Sequence, residues 1–301
     1  NASFSQGMPS GGHVAFISQS GALCTSVLDW ARDRSVGFSY FVSVGNALDV
    51  DFADLIDYFG EDEKTESIVL YIESVSDARR FMTAARAFAR TKPIVVYKAG
   101  RYPQSAAVAA SHTGAMASED SVYDAAFRRA GIARVLNIGE IFSCVELIGR
   151  SRFPEGPRLG IVTNAGGPGV MAVDKLIQLN GQLAELSADS VKELDGVLPP
   201  IWSGRNPVDV LGDANAKRFE KASRIVLGDK EVDALLVILT PQAMTKPDRT
   251  ALKIASVSKE SGKPVLAAWL GGESVRKGRE TLDGSDVAVY RTPEPGVSSF
   301  M

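Results

Sequence analysis

The chain has 301 residues, 33 Lys and Arg against 36 Asp and Glu, a formal net charge of −3, and 45% hydrophobic residues. That balance provides no basic field for duplex nucleic acid or an anionic membrane surface, and the length suits two globular domains better than one. No apolar run approaches the roughly 20 residues of a membrane span, and the opening NASFSQGMPSGG lacks the charged, apolar and small-residue order of a signal peptide. Cys24 and Cys144 fall in segments with helical character and no CxxC spacing, which suits packing in a reducing cytoplasm. The first residue is Asn rather than Met, so a fragment of a longer protein is expected.

Short β-branched or aromatic runs come first: HVAFIS (13–18), FSYFVSVG (38–45), SIVLYIE (67–73) and KPIVVYKAG (92–100). Helical segments separate them, such as DARRFMTAARAFAR, where Phe81, Ala84, Ala85 and Phe88 mark one face. Nearly continuous apolar strands alternating with helices predict a parallel sheet covered on both sides. After SRFPEGPR (151–158) the grammar repeats. HVAFISQSGALCTSVLDWA is matched by RLGIVTNAGGPGVMAVDKL, GNALDVDF by RNPVDVLG, SIVLYIE by ALLVILT and KPIVVYKAG by KPVLAAWLG. The expected fold is α/β, two tandem flavodoxin-like doubly wound domains over 8–152 and 153–292, with 293–301 as the truncated start of a linker helix.

The two copies differ in one place. The second passes almost directly from PVLAAWLGG into a helix, whereas the first inserts nearly twenty residues, 100–118, that carry His112, one of only two histidines. A long Gly- and Ala-rich connection within a compact domain points to function or disorder. An imidazole can accept a phosphoryl group on nitrogen, and it then needs compensating dipoles and an acceptor for its other nitrogen. Glu73, at the carboxyl end of a strand, stands at the edge where open sheets build their sites.

Two turns could supply the dipoles. SQSGA places Ser18, Ser20, Gly21 and Ala22 between a strand and a helix, and NAGGPGV places Asn164, Gly166 and Gly167 at the matching position of the second copy. Small residues there permit close approach of an anion to helix N–H groups, although a tight turn with Ser20 as N-cap explains the first equally well. The bland alternatives for His112 and Glu73 are a surface loop histidine and a solvated strand end. His13 reads as structural. Metal binding is disfavoured for want of ligand spacing, and SQSGA lacks the spacing of a hydrolase elbow.

GHVAFISQSGAL, VGNALDVDFADLIDYF, YIESVSDARRF, KPIVVYKAGR, AASHTGA and TNAGGPGVMAVD with NPVDV, in this order, resemble the nucleoside-diphosphate-forming acyl-CoA synthetases, the succinyl-CoA ligase-like superfamily. The resemblance implies that His112 is transiently phosphorylated, that Glu73 is its hydrogen-bonding partner, and that SQSGA and NAGGPG cradle the phosphoryl group. It further implies a reversible conversion of acyl-CoA, phosphate and ADP into acid, CoA and ATP by way of an acyl phosphate. CoA, ADP or ATP and Mg2+ would be used by the full protein, through a CoA-binding domain and an ATP-grasp domain not visible here. WARDRSVGFSYFVSVGNALD and the ending YRTPE also resemble the synthetase-like part of bacterial protein lysine acetyltransferases. That resemblance implies instead a regulatory acyl-CoA-sensing module. A homo-oligomer is compatible with either.

Overall fold

A computed structural model describes residue 7 and residues 10–34, 36–106, 119–150 and 153–301. The chain forms two compact units, Asn1–Val145 and Glu146–Met301. His112 lies outside the described residues.

In unit 1, strands β1 (Gly11–Ser18), β2 (Phe38–Ser43), β3 (Ser67–Ile72), β4 (Ile94–Lys98) and β5 (Ala133–Val135) form a parallel sheet in the order β2-β1-β3-β4-β5. Helices α1 (Gly21–Asp33), α2 (Phe52–Glu61), α3 (Ala78–Phe88) and α4 (Asp120–Ala130) lie between the strands in sequence, and α5 (Ile138–Arg150) follows β5. This is the flavodoxin-type order, whose switch point falls between β1 and β3. One sheet face buries Ile17, Leu70 and Val96 against Ile56 of α2, Phe81 of α3 and Phe127 of α4. The face of α3 follows its sequence period, with Phe81, Ala84 and Ala85 buried and Phe88 packed at the margin. Trp30 of α1 stacks on Phe142 of α5, with centroids 4.6 Å apart.

Unit 2 repeats the order. Strands β6 (Arg158–Thr163), β7 (Gln182–Leu183), β8 (Val208–Asp209), β9 (Ala234–Leu239), β10 (Val265–Trp269) and β11 (Ala288–Tyr290) form a second parallel sheet. Along it run β7, β6, β9, β10 and β11, with β8 also paired to β6. Its helices are α6 (Gly166–Gln178), α7 (Ala188–Asp195), α8 (Ala216–Gly228), α9 (Pro247–Glu260), α10 (Arg276–Asp283) and α11 (Pro293–Phe300). The position of β2 is taken by two fragments, because β7 pairs with the start of β6 and β8 with its end. Buried Asn206 fills the interruption: its amide donates to Leu159 O and Ala184 O and accepts from Ile161 N, each at 2.9 Å. Residues 293–301, expected as the start of a linker helix, contain α11, whose Val297 and Phe300 are buried in the core of unit 2 with Leu236 and Leu266.

Arg158 fastens the first residue of β6 to the turn before β9. Its Nε and Nη2 bind the two oxygens of Asp233 at 2.9 and 2.7 Å, and Nη1 binds Glu231 at 2.7 Å. The hydrogen-bonded guanidinium holds the Asp233 carboxyl below the ordinary carboxylate range, against the opposing effect of burial. A depressed carboxylate contributes stability above its unfolded pKa of about 3.9 and loses it as pH falls through the lower folded value. Asp233→Asn is therefore expected to lower Tm at neutral pH and to reduce the fall in Tm on acidification below about pH 4. Thermal melts across that range check this; parallel curves for the two proteins would contradict it.

Candidate active site

At the unit 1 switch point β1 ends in Ser18, which is fully buried. Its hydroxyl accepts from Ser20 N and donates to Ser20 O, both at 3.0 Å, closing the turn on itself. Ser20 is the N-cap of α1, and its side chain accepts from Leu23 N at 3.3 Å. Gly21 and Ala22, the first two helical residues, are exposed. N–H groups at these positions have no partner within a helix and form its positive dipole end.

The neighbouring helices differ. The N-terminus of α2 is closed by Asp51, which accepts from Ala53 and Asp54 in a capping box, and that of α3 by Asp77. The first turn of α1 contains no acidic residue. Of these three ends, only that of α1 is left without a carboxylate, so it is the one an anion can use.

Gln19, which sequence reasoning passed over, positions the site. Its side-chain oxygen accepts from Glu73 N at 2.7 Å and Ser74 N at 3.0 Å, and its own N–H donates to Tyr71 O. The end of β3 is thus tied to the start of α1, and Glu73 is brought half-buried to the sheet edge. The signal lay within SQSGA, but a polar residue in such a turn reads as ordinary turn chemistry. Gln19, Asn46, Asp51, Ser74, Asp77 and Phe81 border a recess of about 20 Å³, room for one water-sized group. Burial, with the charge of Glu73 and then Tyr97 adding to it, pushes the Tyr71 phenol up to about 12.

Unit 2 contains the same device. Thr163 Oγ1 accepts from Ala165 N at 3.0 Å and donates to Ala165 O at 2.8 Å, as Ser18 does around Ser20. Asn164 takes the part of Gln19: its Oδ1 accepts from Thr240 N at 2.8 Å and its Nδ2 donates to Thr240 O at 2.9 Å, tying β6 to β9. The Asn164 side chain is 2% exposed and fully occupied, so its backbone is what it can offer a ligand. Gly166 and Gly167 open α6, exposed and again with no acidic residue in the first turn. Asp209, from NPVDV, lies nearby: its Oδ2 is 4.0 Å from where a Gly166 side chain would begin.

Chemically, each unit contains an anion-receptive helix end at the carboxyl edge of a doubly wound sheet, and unit 1 adds a carboxylate tied to it. Among the described residues, no group of three or more His, Cys, Asp or Glu side chains could hold a metal ion. Nor is any helix among them long and apolar enough to cross a membrane.

These features define a succinyl-CoA ligase-like protein. Residues 11–148 match the succinyl-CoA ligase like flavodoxin domain and residues 159–297 the ligase-CoA domain, and the chain belongs to that family. It is similar to an ADP-forming acetate–CoA ligase I of Archaeoglobus fulgidus, 39% identical over 300 residues that make up 100% of this chain and 43% of that protein. The alpha subunit of ADP-forming acetate–CoA ligase II of Pyrococcus furiosus is 37% identical over 94% of this chain and 63% of its own. An acetyl-coenzyme A synthetase 1 of Ca. Korarchaeum cryptofilum, solved with phosphate and ADP, superposes with a TM-score of 0.94 at 34% identity, over 100% of this chain and 66% of that one. The chain thus spans less than two-thirds of the length of these relatives.

Proposed function

We propose that the chain is the phosphohistidine-carrying part of an ADP-forming acyl-CoA ligase, with His112 as carrier and acetate or a similar short acid as product. The observation that carries this reading is the carboxylate-free N-terminus of α1 fastened through Gln19 to Glu73. In the proposed reaction a phosphate oxygen attacks the thioester carbonyl and CoA leaves as the thiolate, giving an acyl phosphate. A ring nitrogen of His112 then attacks phosphorus and the carboxylate departs. Finally an oxygen of the ADP β-phosphate takes the phosphoryl group from His112, forming ATP and releasing the imidazole.

The residues of this chain would act by placement and charge. Glu73 accepts the N–H of the other ring nitrogen and so presents the attacking lone pair. The N–H groups of Gly21 and Ala22 donate to phosphoryl oxygens, with Ser18 and Ser20 holding the turn that presents them. In unit 2 Gly166 and Gly167 form a helix end of the same kind, its turn held by Asn164. CoA, and nucleotide with its Mg2+, would be held by CoA-binding and ATP-grasp domains of the same or a partner chain.

Glu73→Gln tests the assignment in the assembled ligase. Phosphoenzyme formation is expected to slow about 10- to 100-fold, because the amide keeps the shape but loses the charge that stabilises an imidazolium. Undiminished labelling would remove Glu73 from the mechanism.

A further inference from the structure

Lys98 closes β4 on the carboxyl edge of the unit 1 sheet, in register with Ile72, the residue before Glu73. It is 5% exposed. Its ammonium donates to Ala99 O and lies over the ring of Tyr123, 4.5 Å from the centroid. No carboxylate among the described residues forms an ion pair with it.

The carboxylates nearby are already engaged. Asp120 pairs with Arg134 and lies 3.9 Å from Arg101 Nε, while Asp124 binds Arg134 at 3.3 Å and also pairs with Arg128. The Nε atoms of Arg101 and Arg134 are buried with no hydrogen-bond partner among the described residues. Burial lowers the Lys98 pKa and Arg134 lowers it further, whereas Asp120 and Glu73 oppose the shift. Among the described residues the neighbourhood therefore holds more cationic donors than acceptors to satisfy them.

A buried ammonium without an ion pair destabilises a fold relative to an apolar side chain of similar length. Methionine would cover Tyr123 equally well and remove the desolvation cost. A lysine in this position calls for a ligand, and it stands at the sheet edge where doubly wound folds bind theirs. An ammonium has three donors, and Ala99 O occupies one.

We propose that Lys98, seconded by Arg101, is an anion-binding residue for the phosphoryl group handled beside Glu73, an inference that rests on the phosphohistidine reading above. A phosphoryl dianion arriving next to a carboxylate meets like charge, and a fixed ammonium, two donors short among the described residues, offsets that repulsion where water is largely excluded. Helix N–H groups supply direction, and Lys98 supplies a full positive charge.

The test uses Lys98→Met and Lys98→Arg in the assembled ligase, reading the rate of phosphoenzyme formation from γ-labelled ATP together with Tm. Lys98→Met is expected to label about 10²-fold more slowly with Tm unchanged or raised, and Lys98→Arg to recover most of the rate. Labelling of Lys98→Met at the wild-type rate overturns the proposal, as does a steep fall in its Tm, which would assign the lysine to the fold. If the wild type itself takes no label, the phosphohistidine reading fails, and Lys98 is judged on inorganic phosphate alone. Phosphate must then raise the Tm of the wild type more than that of Lys98→Met, and equal shifts overturn the inference.

Discussion

Replacing His112 with alanine is expected to reduce acetate-dependent turnover of the assembled ligase by at least roughly 10³-fold while leaving Tm within about 1 °C of the wild type. The size of the loss follows from the role: without a nucleophile no covalent intermediate forms, and neighbouring groups retain only the binding part of the rate enhancement. The small effect on stability follows from the sequence, because His112 lies in a connection of Ala, Ser, Thr and Gly whose side chains offer little to pack. A variant with near-normal turnover would assign phosphoryl carriage elsewhere. A large loss of Tm would make His112 structural.

The second large effect concerns stability. Asn206 sits where the β2 equivalent of unit 2 is broken, and its amide satisfies Leu159 O, Ala184 O and Ile161 N at once. Asn206→Ala leaves Ala184 O and Ile161 N without this partner in a site only 7% exposed, while Leu159 O keeps the hydrogen bond it accepts from Ala184 N. At about 1–3 kcal/mol for each of the two buried unsatisfied groups, partly relieved by relaxation, the expected loss is about 2–4 kcal/mol. In a domain of this size that corresponds to a fall in Tm of about 10 °C. Calorimetry on the variant decides it, and a loss below about 1 kcal/mol would mean that other partners replace the amide.

Asn206 also shows where the sequence stops being readable. NPVDV was legible as a family motif, but nothing in it announced the part that Asn206 plays in the fold. What Asn206 does depends on the gap between β7 and β8, two-residue strands too short to leave any alternation in the sequence. By contrast β3, β6 and β9 are nearly continuous apolar runs, and their burial follows directly from that pattern. The repeat made much of the order of unit 2 predictable from unit 1, since HVAFIS, SIVLYIE and KPIVVYKAG each had a counterpart, whereas FSYFVSVG had none.

The candidate site was legible to the extent that its chemistry is carried by side-chain type. His112 stood out by rarity and Glu73 by its place after an apolar strand. Gln19 and Lys98 did not. Gln19 acts through backbone groups 54 and 55 residues away, which spacing along the chain does not reveal. Lys98 is one polar residue at the end of an apolar run, and its 5% exposure beneath the Tyr123 ring is visible only in the fold.

The availability of the α1 and α6 N-termini was half legible. Glycine-rich turns announce close approach, but in unit 1 the discriminating feature is comparative: Asp51 and Asp77 close their helices, while Gly21 begins one with no carboxylate in the first turn; in unit 2 both α6 and α8 lack a carboxylate there. The same helix-end argument, applied without the comparison, would have nominated every βα turn in the chain.

The central claim is the covalent intermediate, and trapping it is the most direct test. The assembled ligase is incubated with γ-labelled ATP and magnesium, quenched, and examined for label on the protein and its position. The expected result is acid-labile, base-stable label on His112 that acetate plus CoA discharges. A folded, active ligase that takes no such label, or takes it at a residue other than His112, would contradict the account.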